Sequence, residues 1–237
     1  MFLRTSYSHI FGGLNMWSLK KSWWKILAVV LLVYTIIGGL LFDVPRLAIL
    51  NETIRNLHFH VTMWFGMIML LLTSVIYSII YLSTQNESMD IRAAEFANAG
   101  ILYGILGILT GMLWANYAWG EPWSGDPKQN GSAIALLIYL AYGVLRNSFQ
   151  DTQQKARVSA VYNIFAFFAM IPLLFILPRM TDSLHPGNGG NPGFNYYDLD
   201  NKLRMVFYPA VIGWTLFGVW IAATRIRMKE INAYINN

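Results

Sequence analysis

Charged residues are so sparse along this chain that they partition it into long uncharged runs. Seventeen residues without charge separate Lys25 from Asp43, 26 separate His60 from Glu87, and 25 separate Glu95 from Glu121. Three more runs follow: 17 residues between Lys128 and Arg146, 21 between Arg157 and Arg179, and 20 between Arg204 and Arg225. A helix needs roughly 17–25 apolar residues to cross a bilayer's hydrocarbon core. The pattern therefore predicts an all-α integral membrane protein with six spans, at about 24–42, 60–83, 95–117, 130–148, 158–178 and 204–224. The fourth is the most polar, since Gln129 and Asn130 open it, and Arg146 at its far end would have to snorkel to the interface. No internal repeat or linker divides residues 1–237, which read as one polytopic domain.

Composition agrees. The 237 residues are 56% hydrophobic and only 12% charged, about half the charge of an ordinary soluble domain. This excludes a disordered chain, a basic nucleic-acid-binding domain and most soluble enzymes. The net charge of +5 suits loops facing an anionic membrane surface. With no cysteine, disulfides, thiolate ligands and iron–sulfur clusters are excluded. Lys20, Lys21 and Lys25 ahead of an apolar run resemble a signal peptide. The run ends Gly38-Gly39-Leu40-Leu41-Phe42-Asp43 without a small-residue cleavage site, so a retained helix is expected. Placing both termini in the cytoplasm puts 11 of the 17 Lys and Arg inside and 6 outside, the favoured direction of the positive-inside rule.

That topology sends three loops outward, near residues 43–59, 117–130 and 179–204. They carry His58, His60 and His185, while His9 falls on the inner side. No histidine lies deep in a span, where an intramembrane redox cytochrome would need its ligands, and the spans hold few polar groups for a solute permease. His60 and His185 could face each other as an axial pair for haem iron, or each could cap a helix or meet headgroups. His58, about 200° around a helix from His60, is a bystander or a weak substitute. Gly100, Gly104, Gly107 and Gly111 line one face of the third span, either for close helix packing or to receive a flat ligand. The loop Trp114-Ala115-Asn116-Tyr117-Ala118-Trp119-Gly120-Glu121-Pro122-Trp123-Ser124-Gly125-Asp126-Pro127-Lys128 interleaves tryptophans with turn-formers. Stiffened by prolines, it suits a rigid platform for a planar apolar ligand or for a partner protein. Asp126 is expected to be a turn or cap residue.

Trp119-Gly120-x-x-Trp123-x-Gly125-Asp126 resembles the WGxxWxWD signature (WWD domain) of the haem-handling proteins of cytochrome c maturation. His60-Val61-Thr62-Met63-Trp64-Phe65 is similar to that family's His-Val-Pro segment, and Leu184-His185 supplies a third match in the expected order. The size resembles the short branch, the haem exporter protein C (CcmC) family, rather than the longer CcsA-type and CcmF-type relatives. Two departures are Gly125, in place of the third signature tryptophan, and Thr62, in place of the proline. The resemblance implies a haem-binding subunit of the bacterial inner membrane that presents b-type haem at the periplasmic face. It also implies partners: a membrane-anchored CcmE-like haem chaperone and the CcmB-like and CcmA-like permease and ATPase of an ABC-type transporter. His60 and His185 would be the axial ligands. Trp119 and Trp123 would lie along the porphyrin with Asp126 shaping the loop, Trp114 and Gly120 would belong to the same site, and Lys128, Arg55 or Arg179 would pair with the propionates. The sequence carries no Ser/His/Asp arrangement, no phosphate loop and no transmembrane carboxylate pair, so transfer rather than catalysis is expected.

Overall fold

The computed structural model describes residues 22–45, 51–185 and 199–236, which are helical throughout apart from connections. The N-terminal arm with His9, Lys20 and Lys21 lies outside the described residues, as does part of the last outer loop. Six long helices form: α1 (Trp23–Leu41), α2 (His60–Thr84), α3 (Glu87–Trp119), α4 (Pro127–Ser148), α5 (Thr152–Met180) and α6 (Asn201–Asn236). A 3-10 turn, Asn51–His58, leads into α2. Each matches a span expected from the uncharged runs, but only five are long and apolar enough by themselves to cross a membrane. The exception is α4, whose opening residues Gln129 and Gly131 are buried against the protein instead of facing lipid.

Local chemistry sets the boundaries. Asn86 accepts from the Ser88 amide to start α3, and Asp151 accepts from the Gln154 amide to start α5, each satisfying an orphan donor of the first turn. Gln85 closes α2 in the left-handed conformation. In α5, Pro172 cannot donate to its helix, and a π turn occupies Pro172–Ile176. Pro209 sits inside α6 and frees the carbonyl of Met205 four residues earlier. The Tyr34 hydroxyl of α1 donates to that carbonyl at 3.2 Å, which fastens α1 to α6.

Packing centres on α2, which touches α3, α5 and α6, with α1 laid on α6 and α4 against α3 and α5. Met67, Leu70, Leu71, Phe96, Tyr103, Tyr139, Phe167 and Met170 fill the core. The glycine stripe of α3 serves close packing. A Cβ at Gly100 would sit 2.6 Å from Leu71, at Gly104 2.9 Å from Met67, at Gly107 2.9 Å from Trp64, and at Gly111 2.6 Å from His60. Large apolar side chains such as Val33, Ile37, Leu109, Leu113 and Phe168 face outward, as helices in lipid require.

Polar ties hold the helices where hydrophobic attraction is weak, because lipid is as apolar as leucine. At the end away from the tryptophan loop, Glu95 is fully buried and paired with Arg225 at 2.5 Å and Lys229 at 2.7 Å. Arg146 does not snorkel. It donates to both oxygens of Asp90 on α3, at 2.8 and 2.6 Å, because a bidentate carboxylate satisfies a guanidinium better than a distant interface does. Asn163 of α5 donates to Ser74 and Ser78 of α2, at 2.7 and 2.9 Å.

The closest backbone approach generates a test. A Cβ at Gly131 of α4 would lie 2.4 Å from the Leu173 carbonyl oxygen in the π turn, whereas Gly143 on the same helix has nothing within 4 Å. Gly131→Ala should separate α4 from α5 and cost about 1–3 kcal/mol. Gly143→Ala should be neutral or stabilise by up to about 1 kcal/mol. Thermal unfolding of the two variants in detergent, read by circular dichroism, checks the contrast; equal midpoints would contradict it.

Candidate haem-binding cleft

The cleft is assembled at one end of the helix bundle from the start of α2, the ends of α3 and α5, and the start of α4. It measures about 270 Å³, and both His60 and His185 line it. Aromatic side chains Trp64, Phe65, Trp114, Trp123 and Phe175 give it flat apolar walls, and Lys128 and Arg179 bring cationic groups to the lining.

Asp126 organises the second histidine. As N-cap of α4 it accepts from the Lys128 amide at 2.8 Å. The same buried carboxylate also accepts from the His185 Nδ1–H at 2.8 Å, the Ser183 hydroxyl at 3.1 Å and the Leu184 amide at 2.7 Å. Trp119 packs edge-on to the His185 ring at 4.8 Å, and Trp114 packs against Trp119 at 4.9 Å. The tryptophans thus divide their work: Trp114 and Trp123 line the cleft, whereas Trp119 is not among its lining residues and clamps His185.

His60 is held independently. Its Nδ1 lies 2.9 Å from the Gly107 carbonyl and 3.3 Å from the Thr110 hydroxyl, and the bare backbone at Gly111 leaves room for the ring. A carbonyl accepts only from an N–H, so Nδ1 carries the proton and Nε2 keeps the lone pair. Asp126 imposes the same Nδ1–H on His185. Two imidazoles on one cleft, each fixed through Nδ1 by an acceptor, are the arrangement of metal-ligating histidines with their outer hydrogen bonds in place. With flat aromatic walls and nearby cations, the donor set fits an iron porphyrin carrying carboxylates.

The loop is braced by its own helix. The Gln129 side chain accepts from the Ser124 amide and hydroxyl at 3.0 and 3.1 Å and donates to the Pro122 carbonyl at 3.2 Å. Gly120 and Gly125 adopt φ of +87° and +73°, where a side chain is strained. Gly125 therefore departs from the tryptophan signature at a position whose backbone favours glycine. Thr62 accounts for the other departure, donating to the carbonyls of His58 and Phe59.

Some expected site residues stand elsewhere. Arg55 does not line the cleft. Its guanidinium donates to Glu52 and to the carbonyls of Gly39 and Phe42, so it caps α1, whose last carbonyls lack partners. His58 is buried against Gly39 of α1 and is absent from the lining. Sequence reading missed Gln129 and Asn56, the latter a lining residue that donates to the Thr110 carbonyl at 3.2 Å. The polar opening of α4 was the available signal for Gln129.

These features define a polytopic helical membrane protein with a histidine-bearing cleft under a tryptophan-rich loop. The family model described as heme exporter protein C matches residues 6–236. A heme exporter protein C from Rhodobacter capsulatus is 24% identical over 225 residues, spanning 89% of this chain and 88% of that protein. A cytochrome c biogenesis protein CcsA from Synechococcus sp. (strain CC9311) is 42% identical over 59 residues, 25% of this chain and 19% of its own length. A CcsA from Prochlorococcus marinus (strain MIT 9515) is 34% identical over 88 residues, 37% and 27% respectively. The chain thus spans only a minor part of the CcsA relatives, and nearly all of the exporter. It belongs to the haem exporter protein C (CcmC) family.

Asp126 makes the loop responsive to acid. Burial by itself would raise its pKa, but the His185 interaction, the Leu184 amide and the Ser183 hydroxyl hold the carboxyl well below its ordinary range. A depressed folded pKa contributes stability above the unfolded value of about 4, lost as pH falls below it. Tryptophan emission from the detergent-purified protein should change as pH drops below about 4. Asp126→Asn should remove that acid-dependent component. A change below about pH 4 that Asp126→Asn leaves intact would contradict the assignment.

Proposed function

We propose that this protein is the haem-presenting membrane subunit of cytochrome c biogenesis. In this reading α4 is a sixth span, its polar opening turned toward the cleft. Both termini lie in the cytoplasm, and the cleft faces the periplasm of a bacterial inner membrane. The cluster of Arg225, Arg227 and Lys229 at the far end of α6 supports that orientation. The observation that carries the proposal is that His60 and His185 line one aromatic cleft, each with Nδ1 committed to an acceptor.

Haem is cargo here, held as b-type haem between the two Nε2 atoms. Trp114 and Trp123 lie along the macrocycle, and Lys128 and Arg179 meet its carboxylates. Asp126 strengthens His185 as a ligand and Trp119 fixes its ring, so one ligand is anchored to α3 and the other to a loop. The loop ligand is the one exchanged when an acceptor's side chain displaces it, passing haem to a CcmE-like chaperone without chemical change by this subunit. CcmB-like and CcmA-like transporter subunits supply the ATP-driven step, consistent with the lack of any phosphate loop in this chain. No enzymatic activity is assigned to it.

Haem titration tests this. The wild type should give a low-spin Soret band. His60→Ala and His185→Ala should each weaken or shift it, and Asp126→Asn should weaken affinity about 10–100-fold. A band indifferent to both histidines would leave the loop a partner-docking role.

A further inference from the structure

A second concavity lies at the end of the bundle opposite the cleft. Arg157, Val158, Val161, Tyr162 and Phe165 recur along the first half of α5 at the spacing of one helical face. That face and Leu145, near the end of α4, line a groove between the two helices. Tyr162 joins its sides: the hydroxyl donates to the Ile138 carbonyl of α4 at 3.1 Å, and the ring lies 6.4 Å from that of Tyr142. Val161 and Phe165 nevertheless remain 57% and 62% exposed.

Arg157 stands at the charged end of this groove, and its own charge is unmatched. Nearby cations have partners: Arg146 is paired with Asp90, Arg225 and Lys229 with Glu95, and Arg92 with Glu230. Asp151 accepts from the Gln154 amide as the N-cap of α5. Among the described residues no carboxylate lies within 4 Å of Arg157, which is exposed.

The dimensions point to the occupant. Arg157 opens the uncharged run that ends at Arg179, so it stands at headgroup level with hydrocarbon on one side. From Arg157 to Phe165 the helix rises about 12 Å, close to the roughly 15 Å depth of one leaflet. A partner helix crossing the membrane would need contact along the whole of α5, whereas the groove lining stops at Phe165. A free cation above an apolar slot one leaflet deep is complementary to a phosphate that carries a hydrocarbon chain.

We infer that this groove binds one anionic phospholipid, its phosphate on the Arg157 guanidinium and an acyl chain along Val161, Tyr162 and Phe165. A guanidinium can meet two phosphate oxygens at once, and basic side chains at the membrane surface favour anionic headgroups. The inference takes α4 to lie in the bilayer beside α5, in keeping with its exposed Ile134, Leu137, Leu140 and Val144, and does not depend on haem binding. Seated there, the lipid bridges α5 and the most polar of the six helices.

Delipidated full-length protein in detergent, titrated with phosphatidylglycerol or phosphatidylethanolamine and followed by native mass spectrometry, tests the site. The wild type should retain one phosphatidylglycerol about fivefold or more tightly than phosphatidylethanolamine. Arg157→Gln should abolish that preference. Val161→Trp, which fills the groove from its exposed rim, should weaken retention of both lipids, whereas Phe168→Trp, outside the lining, should not. Equal retention of the two lipids by the wild type, or a preference that Arg157→Gln leaves intact, would overturn the proposal. Displacement of the lipid by excess inorganic phosphate would overturn it too, by showing that the chain contributes nothing. The protein has no cysteine, so Val161→Cys carrying a photoactivatable probe reports the occupant in native membranes. Phosphatidylglycerol adducts above that lipid's share of the membrane are expected; an adduct with a protein would overturn the lipid. About 27 Å of helix separates Arg157 from Phe175 in the cleft, so haem titration of Arg157→Gln should match the wild type, and the lipid site and the haem site fail separately.

Discussion

One carboxylate joins the parts of this site that the sequence keeps far apart. Asp126 caps α4, receives the Ser183 hydroxyl and the Leu184 amide, and fixes Nδ1 of His185. A helix start two residues on, and the connection after α5 with its candidate iron ligand 57–59 residues on, therefore share one acceptor. Buried carboxylates are costly unless every lone pair is used, and here four donors use them. The geometry of the tryptophan loop follows: Trp119 packs on His185, and Trp114 on Trp119, around a ring that the carboxylate orients.

The two histidines are secured by different means. His60 is locked into the helix bundle by the Gly107 carbonyl and the space that Gly111 leaves. His185 is held by a loop through a charge-assisted bond. Rigid helices position one histidine, while a loop carries the other. At the opposite end, Glu95 with Arg225 and Lys229, and Asp90 with Arg146, pin α3 to α6 and α4.

Much of this was legible in the chain because a bilayer imposes a simple rule. Uncharged runs located all six helices, and the tryptophan loop with His60 and His185 converged on one cleft. What stayed hidden depended on partners across helices. Arg146 looked like a snorkelling residue because Asp90 lies 56 positions away. Arg55 looked like a propionate partner because, besides Glu52, its acceptors are the main-chain carbonyls of Gly39 and Phe42, which no residue pattern announces. The glycine stripe left packing and ligand contact open, and the side chains opposite it assign it to packing, with Gly107 and Gly111 also bordering the cleft. Asp126 read correctly as a cap, but its hold on His185 required the return of the chain after α5.

The central claim is that Asp126 makes His185 an iron ligand opposite His60. Low-temperature electron paramagnetic resonance of the ferric haem-loaded protein tests it most directly, since the spin state reports the axial pair. The wild type should be low-spin with the signature of two imidazoles, and Asp126→Asn should convert a substantial fraction to high spin as His185 loses its anchor. A wild-type spectrum dominated by high-spin iron, or a low-spin spectrum that Asp126→Asn leaves unchanged, would contradict the account.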